Sequence, residues 1–373
     1  MSCARRLLAA AIATASVAAL ALPATGYAQR AAASAGGTER ARRIIAESQT
    51  LPPGGIDTLM QVKLGGIEQW ISVRGADRAN PILLFIHGGP GSPMMPESWT
   101  FQRPWEDFFT VVQWDQRDAG KTFSAAARRP DSALTIDRIQ ADAEELIAFL
   151  RQHYGKPKIF LMGHSWGSIL GVRVALHRPQ WLYAYIGVGQ VVNGMRNEVV
   201  GYQQTLAEAR RVKNDSAVRA LEALSPYPDP HQPLSMQKVI AERRWDVALG
   251  GMLYGRSRDQ TSAAWQLSPD YTANDDTSAI LGIGISVKVL LPAMAATDFD
   301  ADTVFRIPVF IFAGKHDRTT PESEAAAYFG HIHAPAKTFF EIDWAAHYVV
   351  NEAPGVVLVD LVQQVRPLAL RDR

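Results

Sequence analysis

Hydrophobic positions along the chain fall into two patterns. The first is a short, nearly continuous apolar run, seen at 81–86, 109–114, 158–162, 183–188, 307–313 and 338–342. Runs of that length predict strands, and their lack of alternation predicts burial on both faces. The second pattern is helical. Within 136–154, Ile139, Ala143, Leu146, Ile147 and Leu150 recur at three- and four-residue spacing, with Thr135 placed to cap the helix. The stretch 168–176 reads as a helix directly after the run 158–162, and 355–365 as another near the C-terminus. Two strand-like segments, 60–64 and 68–73, flank Gly65-Gly66, which predicts a hairpin. Strands alternating with helices predict an α/β fold with a mostly parallel central sheet and helices on both faces.

The alternation lapses between about 190 and 303. That stretch has helical segments at 198–212, 217–224 and 236–249 and no convincing strand. An insertion there, between the sixth and seventh strands, is expected to form a helical cap over the strand ends, where open α/β sheets hold their ligands. The expected organisation is a core in two parts, 56–190 and 303–373, and a cap at 191–302. Residues 29–55, rich in Ala, Gly, Ser and Arg, read as a surface arm or linker. There are no internal repeats.

The first 28 residues read as an export signal. Arg5 and Arg6 precede an apolar stretch at 7–22, then Pro23 and the small-residue pattern Gly26-Tyr27-Ala28. This predicts cleavage after Ala28 and a periplasmic or secreted protein. The apolar stretch is short for a membrane span, which needs roughly 20 residues. Cys3 is the only cysteine and precedes the apolar stretch, so it is not placed for lipid attachment. A mature chain would have no disulfide, no thiolate nucleophile and no cysteine metal site. The 373 residues carry a net charge of +1, which gives no reason to expect nucleic acid or a stable membrane partner. There is no H-E-x-x-H motif, and no metal or cofactor is expected.

Candidate chemistry centres on Gly163-His164-Ser165-Trp166-Gly167. G-x-S-x-G between a strand and a helix is the setting of a nucleophile elbow. A serine hydroxyl is a weak nucleophile and needs a base, an acid to orient the base, and donors for the oxyanion. Asp317 follows the strand-like run 307–313 and is the expected acid, with Asp343 as rival. His347 follows the last strand-like run and is the expected base. His316 is less favoured because it adjoins Asp317 on the same turn. His87 and His164 are expected to be structural. The oxyanion donors are expected to be the backbone N–H groups of Trp166 and Gly89, with Gly88 as fallback, because His87-Gly88-Gly89-Pro90-Gly91 follows the third strand.

With His87-Gly88-Gly89-Pro90-Gly91, Asp115-Gln116-Arg117-Asp118-Ala119-Gly120-Lys121-Thr122 and Gly163-His164-Ser165-Trp166-Gly167 together, the chain resembles the proline iminopeptidase family of α/β-hydrolases. The similarity covers roughly 56–190 and 303–373. It implies the α/β-hydrolase fold, release of an N-terminal, proline-like residue from peptides without metal, and Ser165, Asp317 and His347 as the triad. The family usually has Gly where Asp118 stands. Family members hold the substrate's amino group with cap glutamates, for which Glu198 and then Glu242 are the candidates. The expected function is a serine hydrolase acting on a small peptide through an acyl-enzyme, with a carboxylesterase or lactonase acting on a small ester as the alternative. A non-catalytic binding protein is disfavoured because every triad member has a candidate.

Overall fold

A computed structural model describes residues 37–125, 134–257 and 259–371. The expected signal segment lies outside them. Helix α1 (37–48) comes first, within the stretch expected as an arm. Arg42 Nε and Nη2 donate to the Gln266 carbonyl at 2.9 and 2.7 Å, which ties α1 to the insertion that follows the sixth strand.

Strands β1 (Ile56–Leu64) and β2 (Ile67–Gly75) form the expected hairpin, with β1 starting earlier and β2 extending further at both ends than the sequence pattern suggests. Their register pairs Leu64 with Ile67. Gly65 and Gly66 form the two-residue turn at φ 54° and 85°, where a side chain is strained. The core continues through β3 (Ile82–Ile86), β4 (Thr110–Trp114), α2 (Gly120–Ala125), α3 (Ile136–His153), β5 (Ile159–His164), α4 (Trp166–His177) and β6 (Leu182–Val188). Thr135 caps α3 by accepting from the Arg138 N–H at 3.1 Å. After the insertion come β7 (Val309–Gly314), α10 (Glu322–His331) and β8 (Lys337–Ile342). The C-terminal helix expected at 355–365 is α12 (Pro354–Asp360), which widens into a π turn at Leu361–Val365. It is flanked by α11 (Val349–Glu352) and α13 (Pro367–Leu370).

Among the described residues the strands form one eight-stranded sheet in the order β1-β2-β4-β3-β5-β6-β7-β8. From β4 through β8 all pairings are parallel, and β1 and β2 add an antiparallel edge. This is the α/β-hydrolase sheet expected from the sequence. The continuous apolar runs are explained by the two cores they separate. In β3, Ile82, Leu84 and Ile86 pack with α3 and α4 on one face. Leu83 and Phe85 pack with Trp105, Val349 and Val357 on the other. Full burial of each such side chain contributes roughly 1.5–3 kcal/mol.

The insertion between β6 and β7 is a helical cap. It consists of α5 (Gly194–Arg211), α6 (Asp215–Glu222), α7 (Met236–Ala248), α8 (Asp259–Gln266) and α9 (Ala273–Ala295). The first three match the expected helical segments; α8 and α9 were not foreseen. α9 starts with a capping box, in which Thr272 Oγ1 accepts from the Asp275 N–H and the Asp275 carboxylate accepts from the Thr272 N–H. α9 is 23 residues long and contains an 18-residue window with a mean hydropathy of 1.8, long and apolar enough to span a bilayer. Here its Ile283, Val287 and Leu291 line a cavity between cap and core.

Candidate active site

Ser165 sits at the β5–α4 junction with φ 54° and ψ −121°, a backbone conformation that costs a non-glycine residue roughly 1–3 kcal/mol. Neighbouring groups hold it there. Its N–H donates to the Val188 carbonyl at 2.9 Å, and its carbonyl accepts from the Ser168 N–H and Oγ at 2.8 and 2.6 Å. The two motif glycines serve close approach. A Cβ on Gly163 would lie 2.4 Å from the Gly167 carbonyl oxygen, and one on Gly167 would lie 2.2 Å from that of Ile86. The turn is therefore tight enough to present Ser165 above the sheet only because both flanks lack side chains.

Asp317 lies on the loop after β7, and His347 on the loop after β8. His347 Nδ1 donates to Asp317 Oδ2 at 2.8 Å. In the neutral imidazole this bond selects the tautomer with the proton on Nδ1 and Nε2 as acceptor. Asp317 is held in turn by its own loop. Oδ1 accepts from the N–H groups of Thr319 and Thr320 at 2.9 and 2.8 Å, and Oδ2 accepts from Thr320 Oγ1 at 2.8 Å. Asp317 and His347 are both buried, and His347 lines the same cavity as Ser165. Thr320 went unnoticed in the sequence, where a threonine three residues after an aspartate reads as an ordinary turn.

The alternatives lie elsewhere. Asp343 is exposed and paired with Lys315 Nζ at 2.6 Å, which holds its carboxyl below the usual range. His316 stacks on Tyr254 with ring centroids 3.7 Å apart. His87 and His164 are buried, and burial lowers their pKa values to about 4 and about 3. His87 Nδ1 donates to the Gly88 carbonyl at 2.9 Å while Nε2 accepts from the Gln116 N–H. His164 Nε2 donates to the His347 carbonyl at 2.9 Å.

Gly88 and Gly89 both line the cavity beside Ser165. A Cβ on Gly88 would lie 3.1 Å from that of Ser165, and Gly89 has φ 117°, open to glycine and strained for other residues. Trp166 is the first residue of α4, so its N–H is one of those a helix leaves without an internal acceptor. Its indole lies beneath the site and donates to Gln116 Oε1 at 3.0 Å, while Gln116 Nε2 donates to the His87 carbonyl at 3.0 Å. One glutamine thus ties the glycine loop to the elbow helix. Asp115 accepts from the Lys121 N–H at 2.8 Å and from the cap's Tyr271 hydroxyl. Arg117 pairs with Asp142 on α3 at 2.8 Å. Asp118 has φ 57°, a conformation that aspartate tolerates better than most residues.

The cavity has a volume of about 640 Å³ and is mostly apolar. Glu198 on α5 lines it; Glu242 on α7 is buried behind that wall and does not. Arg243 joins the two, its Nη2 donating to Glu198 Oε1 at 2.5 Å and its Nη1 to Glu242. Tyr227 also donates to Glu198, at 2.5 Å. The expected pair of glutamates is therefore brought together, but around a cation of the protein's own. Burial holds Glu242 above the usual carboxylate range even so.

The sheet order, the loops that carry Ser165, Asp317 and His347, and the cap define an α/β-hydrolase, and residues 81–354 match the family profile for the alpha/beta hydrolase fold. A probable aminopeptidase from Bacillus subtilis, YbaC, is 30% identical over 83% of this chain and 97% of its own. A probable proline iminopeptidase from Streptomyces coelicolor is 33% identical over 31% of this chain and 34% of its own. A solved structure of a proline iminopeptidase-related protein from Thermus thermophilus superposes with a TM-score of 0.59 at 18% identity, over 84% of this chain and 99% of its own. The chain belongs to the proline iminopeptidase family of α/β-hydrolases, and it is a hydrolase.

Proposed function

We propose that this protein is an exported serine aminopeptidase that releases an N-terminal, proline-like residue from small peptides. Ser165 attacks the carbonyl carbon while His347 Nε2 takes its proton. Asp317 orients the imidazole and stabilises the imidazolium. The N–H groups of Gly89 and Trp166 receive the oxyanion. His347 then protonates the leaving amine, and water, deprotonated by the same imidazole, releases the acyl group. The observation that carries this reading is the 2.8 Å Asp317–His347 bond in the same cavity wall as a serine held at positive φ.

The choice of an amino-terminal substrate draws on the Bacillus relative, which aligns through cap and core alike. Export draws on Arg5, Arg6, the apolar stretch 7–22 and Gly26-Tyr27-Ala28. A second reading, a carboxylesterase or lactonase using the same residues, is favoured by one feature: Arg243 already neutralises Glu198. Proline and alanine p-nitroanilides, set against short p-nitrophenyl esters, separate the two. The aminopeptidase reading expects turnover of the anilides with a free amine and little of their N-acetyl derivatives. Turnover of esters alone would remove it.

A further inference from the structure

We propose that Glu97 is the carboxylate that receives the substrate's ammonium group. This rests on the aminopeptidase reading and adds the residue that selects for a free amine. Glu97 lies in the short 3-10 turn Met95–Thr100, on the loop that also carries Gly89. It is 4% exposed and lines the cavity with Ser165 and His347. Among the described residues, Glu97 and Glu198 are the cavity-lining carboxylates. Glu198 is bound by Arg243 and Tyr227. Glu97 makes no ion pair with any described lysine or arginine.

The remaining influence on Glu97 is the Trp265 indole, which favours the charged form although its N–H falls outside hydrogen-bond geometry. Burial pushes the carboxyl up to about 8. An ionised carboxylate is costly in such surroundings until a cation joins it. A substrate ammonium supplies that cation and up to three N–H donors, and the Glu97 proton leaves to solvent as the ion pair forms. A neutral or acylated amine supplies neither. The turn is fixed at the seam of core and cap. Met95 packs with Tyr271 and Ala279, and Trp99 Nε1 donates to the Ala264 carbonyl of α8 at 3.0 Å. The turn that carries Glu97 is therefore held by both layers that enclose the substrate.

The test is protection of Ser165 from a fluorophosphonate probe, read as labelling rate. In the parent protein n-butylammonium should slow labelling roughly 30-fold more effectively than 1-butanol at equal concentration. Glu97→Gln should remove that difference, with each protein's protected rate read relative to its own rate without competitor. Glu97→Met, similar in volume, serves if the glutamine variant does not fold. Equal protection by amine and alcohol in the parent, or a difference that survives both substitutions, overturns the assignment. A parent that hydrolyses only esters yet is protected by n-butylammonium through Glu97 would instead overturn the peptidase reading and keep the amine site.

Discussion

At the scale of single residues, Ser165 combines a strained backbone with a buried, hydrogen-bonded partner system that its own loop does not contain. Ser165→Ala is expected to lower turnover roughly 10⁴-fold or more while the thermal unfolding midpoint stays near the parent's. Asp317→Asn should lower kcat by roughly 10³- to 10⁴-fold, because an amide no longer fixes the proton on Nδ1 of His347. Substantial turnover in either purified variant would reject these roles. His87 makes a separate prediction. Its folded pKa is about 4 against 6.5 for the free side chain. Between those values the unfolded chain binds the proton and the folded chain does not, so the contribution of His87 is complete above pH 6.5 and is lost as pH falls toward 4. Urea unfolding of His87→Gln should therefore show a penalty relative to the parent that shrinks over that interval. A penalty that is constant with pH would mean that His87 is not buried neutral.

At the scale of elements, the cap grips the acid loop as well as covering the cavity. Asp246 on α7 accepts from Arg318 Nε at 3.2 Å and from Thr319 Oγ1 at 2.9 Å, one and two residues beyond Asp317. On α5, a Cβ at Gly201 would lie 2.3 Å from the Arg318 carbonyl oxygen. The loop that orients His347 is thus braced from the cap side. Asp246→Ala leaves Arg318 buried without its carboxylate and is expected to cost about 3 kcal/mol in urea unfolding and to lower kcat more than it raises KM. Unchanged kcat would mean the brace does not reach Asp317. Elements with clear periodicity or turn chemistry were legible in sequence: the Gly65-Gly66 hairpin, α3 behind Thr135, and the buried strands. α9 was not, because its apolar residues surround the helix and leave no amphipathic stripe, and it contains Gly282, Gly284 and Pro292. Gly282 is needed there, since a Cβ would lie 2.4 Å from the Asp118 carbonyl oxygen.

At the scale of the whole molecule, the cavity belongs to neither layer alone. Gly88, Gly89, Ser165 and His347 come from core loops; Glu198, Arg243, Ile283 and Val287 come from the cap. Chemistry and selectivity are therefore separable. Substitutions on the cap wall should move the ratio of anilide to ester turnover, whereas those at Ser165 or Asp317 should lower both together. Export makes a whole-chain prediction. Expressed from its full reading frame in a Gram-negative host, the protein should fractionate outside the cytoplasm, and its intact mass should correspond to a chain that begins at Gln29. A full-length mass in the cytoplasm would contradict it.

Sequence alone determined the layers of this protein and the residue types of its chemistry. Apolar runs and helical spacing are local, and local patterns are readable one segment at a time. Chain order also sufficed to place Ser165, Asp317 and His347 on neighbouring loops, because each follows a strand and parallel strands bring their trailing loops to one edge of the sheet. Only the tertiary structure decided which polar groups are already satisfied. Glu198 meets Arg243, 45 residues away, only by folding, and Glu97 looks like any surface glutamate until the cap buries it. Pairing and burial depend on contacts between residues distant in sequence, and those contacts exist only once the cap closes over the core.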